Sequence, residues 1–203
     1  MFGNVYTNDK EWNMYDKIGN HCILNPKKNE ISEINKKTLI TFLPMQNVSI
    51  CGEIDYSIEK TIDDVWKGFT YFKDNDVLFA KITPCMENGK GAVVRKLKNG
   101  IGFGTTEFHV IRPKKEINST WIYYVLADKK FRNNAEKNMT GSAGQKRVPI
   151  SFIENYKISI PPIELQNKFA SIVEQIDKQK FEFEKSLKKL EELQASLMQE
   201  YFG

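Results

Sequence analysis

Two glycine-punctuated loops hold the side chains best suited to gripping an anion: PCMENGKG at 84–91 and TGSAGQKR at 140–147. The second combines two glycines, two hydroxyls, an amide and the adjacent cations Lys146 and Arg147. Backbone N–H groups and such side chains donate to phosphates, while Gln or Arg can reach base edges. The candidate polyanion contacts are therefore Ser142, Gln145, Lys146 and Arg147, with Asn88 and Lys90 supporting a second contact. An ordinary basic helix-to-strand connection would carry the same residue types. The common catalytic patterns are absent: there is no Gly-x-x-x-x-Gly-Lys-Ser/Thr loop, no Gly-x-Ser-x-Gly elbow and no His-Glu-x-x-His helix. Gly100-Ile101-Gly102-Phe103-Gly104 leads into a strand rather than a helix N-terminus, so it reads as a bulged turn. His109 lies in an alternating strand and reads as a packing residue, and Asp74, Asp76, Glu87 and Lys90 fit a metal-nuclease spacing poorly.

These loops need a scaffold, and the surrounding segments predict one of mixed type. Segments 38–44 (TLITFLP), 76–83 (DVLFAKIT), 91–95 and 103–112 read as strands separated by Asn and Gly turns. Residues 120–137 read as one amphipathic helix capped by Ser119 or Thr120, residues 151–156 as a helical turn, and 157–160 as a final strand. Without regular β-α-β repetition, the expected class is α+β.

After Pro161-Pro162 the chain changes character. From 164 to 202 there is no Gly or Pro, and Phe169, Ile176, Phe183, Leu190 and Leu197 recur every seven residues. Ile172, Val173, Leu187 and Leu193 form a second, interrupted row. This spacing wants a partner helix, and the expected rod is roughly 58 Å long at 1.5 Å per residue. A helix packed back on its own domain is the competing reading. The expected organisation is a globular head at 1–160 and a spacer or pairing helix at 161–203.

Of the overall charge of +4, the stretch 164–203 carries −2, from six Lys against eight acidic residues, so the head holds +6. Lys36-Lys37, Arg95-Lys96-Lys98, Arg112-Lys114-Lys115, Lys129-Lys130-Arg132 and Lys146-Arg147 group its cations in a way that suits a polyanion surface. No run of eighteen apolar residues occurs, and the first residues lack the basic-then-apolar order of a signal peptide, so a cytosolic protein is expected. Cys22, Cys51 and Cys85 are odd in number and widely spaced, which indicates neither a disulfide framework nor a zinc site; packing as small hydrophobes is expected.

DVLFAKITPCMENGKGA (76–92), GFGTTEFHVIRP (102–113) and TGSAGQKRVPISFIENYKISIPPIELQNKFASIVEQID (140–177) resemble the target-recognition domain and following helix of type I restriction-modification specificity subunits. KKTLITFLPMQNVS (36–49) is similar to an early strand of that family, leaving mainly 13–35 and 50–70 without a family signature. The resemblance implies a non-catalytic address subunit, with no cofactor of its own. It would read part of a split site in double-stranded DNA and present it to adenine-methylating subunits that use S-adenosylmethionine, joined in restriction by ATP- and Mg-dependent motor subunits.

Family members usually carry two recognition domains and two antiparallel helices, whereas this chain shows one of each. The resemblance therefore implies a half-length unit that pairs with a second copy or with another half through Phe169, Ile172, Ile176, Phe183, Leu187, Leu190 and Leu197. The similarity of Met1-Phe2-Gly3-Asn4 and Tyr201-Phe202-Gly203 to the family's repeat junction suggests a chain one repeat long. A detached half of a longer specificity subunit or fused restriction-methyltransferase, and a scaffold or inhibitor that no longer reads DNA, are the alternatives. Loops shared by readers of many sites are poor choosers of bases, which directs specificity toward 13–35 and 50–70.

Overall fold

The computed structural model describes every residue except Glu11, Asn13 and Ala143. Thus Asn13, at the start of the 13–35 stretch, and Ala143, inside the second loop, lie outside the described residues. The chain divides into two compact units, Met1–Ile163 and Glu164–Gly203.

The first unit is α+β. One sheet has the order β2-β9-β6-β7, with β2 Cys22–Leu24, β6 Val77–Ala80, β7 Gly91–Val93 and β9 Phe108–Pro113, all antiparallel. The second has the order β4-β3-β8-β5, with β3 Leu39–Leu43, β4 Glu59–Thr61, β5 Thr70–Lys73 and β8 Ile101–Gly104; within it β3 and β8 run parallel. A two-stranded ribbon pairs β1 (Tyr15–Lys17) with β10 (Lys157–Ser159). Two single-turn helices, α1 (Ile18–His21) and α2 (Ile62–Val65), follow β1 and β4.

The two larger sheets share a core. Leu43 and Phe72 of the second sheet pack among Leu78, Ala80, Ala92, Phe108 and Val110 of the first, all at most 1% exposed. The other side of the second sheet is covered by Ile31, Ile62 and Val65, which cluster with Ile40, Phe42, Tyr71 and Phe103. Gly102 is needed here because Phe72 occupies the space a side chain would take: a Cβ at 102 would fall 2.0 Å from its ring. Gly102 and Gly104 therefore sit inside β8, and the expected bulged turn is confined to Gly100, which ends the preceding turn with φ +69°; the rest is a buried strand. The segment 103–112 divides between β8 and β9, which belong to different sheets, with a turn at 105–107 between them.

The helix expected at 120–137 is two helices, α3 (Ser119–Ala127) and α4 (Lys129–Lys137). Asp128 breaks it, adopting extended backbone (ψ 138°) while its carboxylate accepts from the Lys130 N–H. Asn118, rather than Ser119 or Thr120, caps α3 by accepting from the Thr120 and Trp121 amides. Trp121, Ile122 and Leu126 bury one face of α3, each at most 1% exposed. On α4, Phe131 meets Phe79, Phe152 and Tyr156 at ring separations of 4.8 to 6.0 Å, joining α4 to α5 (Ile150–Asn155).

His109 is a core residue, as its strand position suggests. Its Nε2 lies 2.8 Å from the Val148 carbonyl and its Nδ1 3.3 Å from the Asn25 amide nitrogen, so Nε2 donates and Nδ1 accepts. Burial pushes its pKa down to about 4. Because the unfolded imidazole titrates near 6.5, the unfolded chain binds the extra proton between these values. Stability is then expected to rise by roughly 3 kcal/mol from pH 4 to 6.5 through this group, at about 1.4 kcal/mol per unit. In urea titrations across that range, His109→Gln should flatten this part of the slope. Cys22 is buried and Cys85 half-buried, but Cys51 is exposed on a loop and does not pack as a hydrophobe.

The second unit is carried by α6 (Ile163–Phe202), forty residues in one helix. No described helix is long and apolar enough to cross a membrane.

Candidate nucleic-acid interface

The 140–147 loop is bonded to residues 81–83, which lead directly into the 84–91 loop. Ile82 and Arg147 form an antiparallel bridge, the Thr83 N–H donates to the Lys146 carbonyl (3.1 Å), and the Val148 N–H donates to the Lys81 carbonyl (2.9 Å). Thr140 and Arg147 bridge each other through bonds of 2.9 and 2.8 Å, which closes the 140–147 loop on itself. Gly141 allows that closure with φ +117°, a conformation other residues rarely adopt.

Within this loop the cations divide their work. Arg147 places Nε and Nη2 on the two Glu107 carboxylate oxygens, each at 2.9 Å, and Nη1 on the Gln145 carbonyl. The bidentate bond from Arg147 holds the Glu107 carboxyl below the usual range. Arg147 thus braces the loop, whereas Ser142, Gln145 and Lys146 are exposed and project from it. Lys146 is the cation this loop offers outward.

The 84–91 loop is braced from two sides. Arg132 of α4 donates from Nη1 to the Glu87 carbonyl (2.8 Å) and from Nε to the Ala127 carbonyl (3.0 Å). The guanidinium lies so close to Gly89 that a Cβ there would fall 2.7 Å from Nη1. Lys90 sends its ammonium inward to the Met45 carbonyl (3.1 Å), while Asn88 remains exposed. Lys90 therefore ties the loop to the segment after β3. The sequence had placed Arg132 only in a surface cluster; the signal pairing it with this loop is Gly89, which leaves room for the guanidinium.

The unmatched stretches also meet. Lys28, from 13–35, donates to the Trp66 carbonyl, from 50–70, and Lys28 and Lys36 both sit over the Trp66 ring, at 5.1 and 3.0 Å. Lys60 lies over Phe42 at 4.2 Å. These ammonium groups are held by aromatic faces.

On α6, Phe169 is half-buried, while Ile176, Phe183 and Leu190 are 56%, 74% and 63% exposed. Ile172, Leu187 and Leu197 are exposed as well, and Leu190, Leu193, Leu197, Met198, Tyr201 and Phe202 line one apolar strip near the helix end. No described charge cluster has the makings of a metal site.

The first unit is thus an α+β head with cation-bearing, braced loops, and the second is carried by a forty-residue helix. The family model for the type I restriction modification DNA specificity domain matches residues 26–195, and the chain belongs to that family. The specificity subunit of the type I restriction enzyme EcoAI of Escherichia coli is 42% identical over 161 residues, covering 78% of this chain and 26% of the relative. That of EcoEI, also from Escherichia coli, is 43% identical over 155 residues, covering 75% and 25%. The chain thus matches about a quarter of the length of these curated relatives. The HsdS subunit of Thermoanaerobacter tengcongensis shares the fold with a TM-score of 0.65 at 18% identity, over 92% of this chain and 47% of that one.

Proposed function

We propose that the chain is a non-catalytic DNA-reading unit of a type I restriction-modification complex. It reads one half of a split site and positions adenine-methylating subunits, and restriction subunits where these join, within the cytoplasm. The observation that carries this reading is the family match over residues 26–195, which takes in both braced loops and most of α6. S-adenosylmethionine, and ATP with Mg, belong to the partner subunits. The exposed α6 row supports pairing with a second recognition unit, either another copy or a different chain. A scaffold that has lost DNA reading is the alternative that a null result would favour.

In this reading Lys146 is the phosphate contact of the 140–147 loop, with Gln145 and Ser142 as neutral companions, which their outward exposure supports. Asn88, exposed on the 84–91 loop, supports a second contact, and Lys90 holds that loop in place. Lys146→Ala is expected to weaken binding to all duplexes by a similar factor and to reduce the slope of log affinity against log salt by about 0.9. Titrations of duplex DNA at several salt concentrations measure both. Arg147→Ala should instead lower the melting temperature, because it leaves Glu107 unpaired.

The test of the whole reading is genome-wide adenine methylation in the native host with and without this gene. Loss of an interrupted palindromic mark indicates a symmetric pair, since two-fold protein symmetry is mirrored in the half-sites. Loss of an asymmetric split mark indicates a second recognition chain. An unchanged methylation pattern overturns the reading.

A further inference from the structure

We propose that the lobe formed by residues 44–57 is the base-selecting element of the head, with Gln46 and Ile50 at its reading edge; Gln46 lies inside the family-like segment 36–49, so the selecting stretch extends back beyond the 50–70 expected from the sequence. The inference rests on the DNA-reading function proposed above and assigns the selection step within it.

Placement comes first. The lobe adjoins the 84–91 loop because Lys90 donates to the Met45 carbonyl, and that loop is bonded through Thr83 to Lys146. Phosphate-holding and lobe residues therefore belong to one continuous set of loops. On its other flank the lobe meets α3: the Tyr123 hydroxyl would lie 2.5 Å from a Cβ at Gly52, which has φ +84°.

The lobe is rigid. Val48 and Ile54 bridge across it, Asn47 donates to the Asp55 carbonyl and carboxylate at 3.1 and 3.2 Å, and the Ser49 hydroxyl accepts from the Cys51 and Glu53 amides at 3.1 and 3.0 Å. Val48 is fully buried in the shared core, with Met45, Ile54 and Tyr56 packed against it. Rigid presentation of this kind keeps a recognition group within the tolerance that base readout demands.

Charge separates this lobe from the basic loops. Residues 44–57 contain Glu53 and Asp55 and no Lys or Arg, a net charge of −2 beside loops rich in cations. Such a lobe is unsuited to gripping phosphates and suited to base edges, where discrimination comes from amide and apolar contacts. Among the described residues, Gln46 is exposed and its amide has no partner, and Ile50 is 59% exposed at a tip that has no internal need of it. A Gln amide matches the donor and acceptor pair of adenine in the major groove, and an aliphatic side chain matches the thymine methyl.

The experiment uses the full chain assembled with methyltransferase subunits and a pool of duplexes with randomised centres. Native protein should recover a defined sequence. The doubly substituted Gln46→Ala, Ile50→Ala protein should lose about tenfold or more of its discrimination at one or two positions, as expected when direct base contacts are removed. Its salt dependence should remain unchanged, whereas Lys146→Ala should depress recovery without altering the sequence recovered. The exposed Cys51 adds a second readout, because bound duplex should protect it from alkylation. Recovery of the same sequence with the same discrimination by the double variant, or full Cys51 reactivity in the complex, overturns the inference while leaving DNA reading intact. Failure of the native protein to recover any sequence overturns both.

Discussion

Ile176→Glu and Leu190→Glu are each expected to abolish pairing through α6, raising the dissociation constant at least 100-fold. The two side chains are 56% and 63% exposed along a row that repeats every seven residues, so the chain alone leaves its seam uncovered. Closing that seam removes apolar surface from water at about 25 cal/mol per Å². A carboxylate placed there must be desolvated without a partner, at a cost of several kcal/mol, and a symmetric pair would bury two of them. Since 1.4 kcal/mol is tenfold in affinity, even a partial penalty exceeds two decades. Sedimentation equilibrium over a range of concentrations reads the change directly. The melting temperature of the head should not move, which separates lost pairing from lost folding. A dimer that survives both substitutions would place the seam elsewhere.

Arg112→Ala is expected to destabilise the head by about 3–5 kcal/mol, the cost of leaving one member of a buried ion pair behind. Arg112 bridges two carboxylates: Nε and Nη2 reach the two Asp76 oxygens at 2.7 Å each, and Nη1 reaches Glu30 at 2.6 and 2.9 Å. Asp76 is only 1% exposed and also accepts from the Lys73 N–H. Burial works against the guanidinium charge, but the two carboxylates outweigh it and hold Arg112 protonated. For a domain of this size each kcal/mol moves the midpoint by about 2–4 °C, so a loss of roughly 6–20 °C is expected. Arg112→Met combined with Asp76→Leu should recover much of that loss, because a buried pair can be replaced by apolar groups at little net cost. Urea unfolding of the native protein and the two variants settles the matter; a loss under 1 kcal/mol in Arg112→Ala would contradict the account.

Legibility from sequence followed local signal strength. The apolar run of β6 and the heptads of α6 each carry their pattern within one segment, and both elements form where expected. Strands β2 and β4 have three residues apiece, too few for alternation to register. β8 was obscured because its glycines look like turn punctuation, when Gly102 is required by the Phe72 ring. The break between α3 and α4 was hidden because Asp128 falls inside a periodic run and acts as a cap. At the site, residue type identified both basic loops, but their adjacency depends on a bond between Thr83 and Lys146, 63 positions apart in the chain. The inward turn of Lys90 and the engagement of Arg147 with Glu107 were equally invisible, since neither partner is local.

The ribbon of β1 and β10 has a consequence for biosynthesis. Tyr15 pairs with Ser159, so nearly the whole head must be made before its first strand finds its partner. Contacts this distant in sequence pay a loop-closure cost before they return stabilisation, and they slow folding. In a nascent chain β1 must wait unpaired, exposed to aggregation, until residue 159 is available. Synthesis of α6 follows immediately, which orders events in time: every residue of the head precedes the long helix off the ribosome.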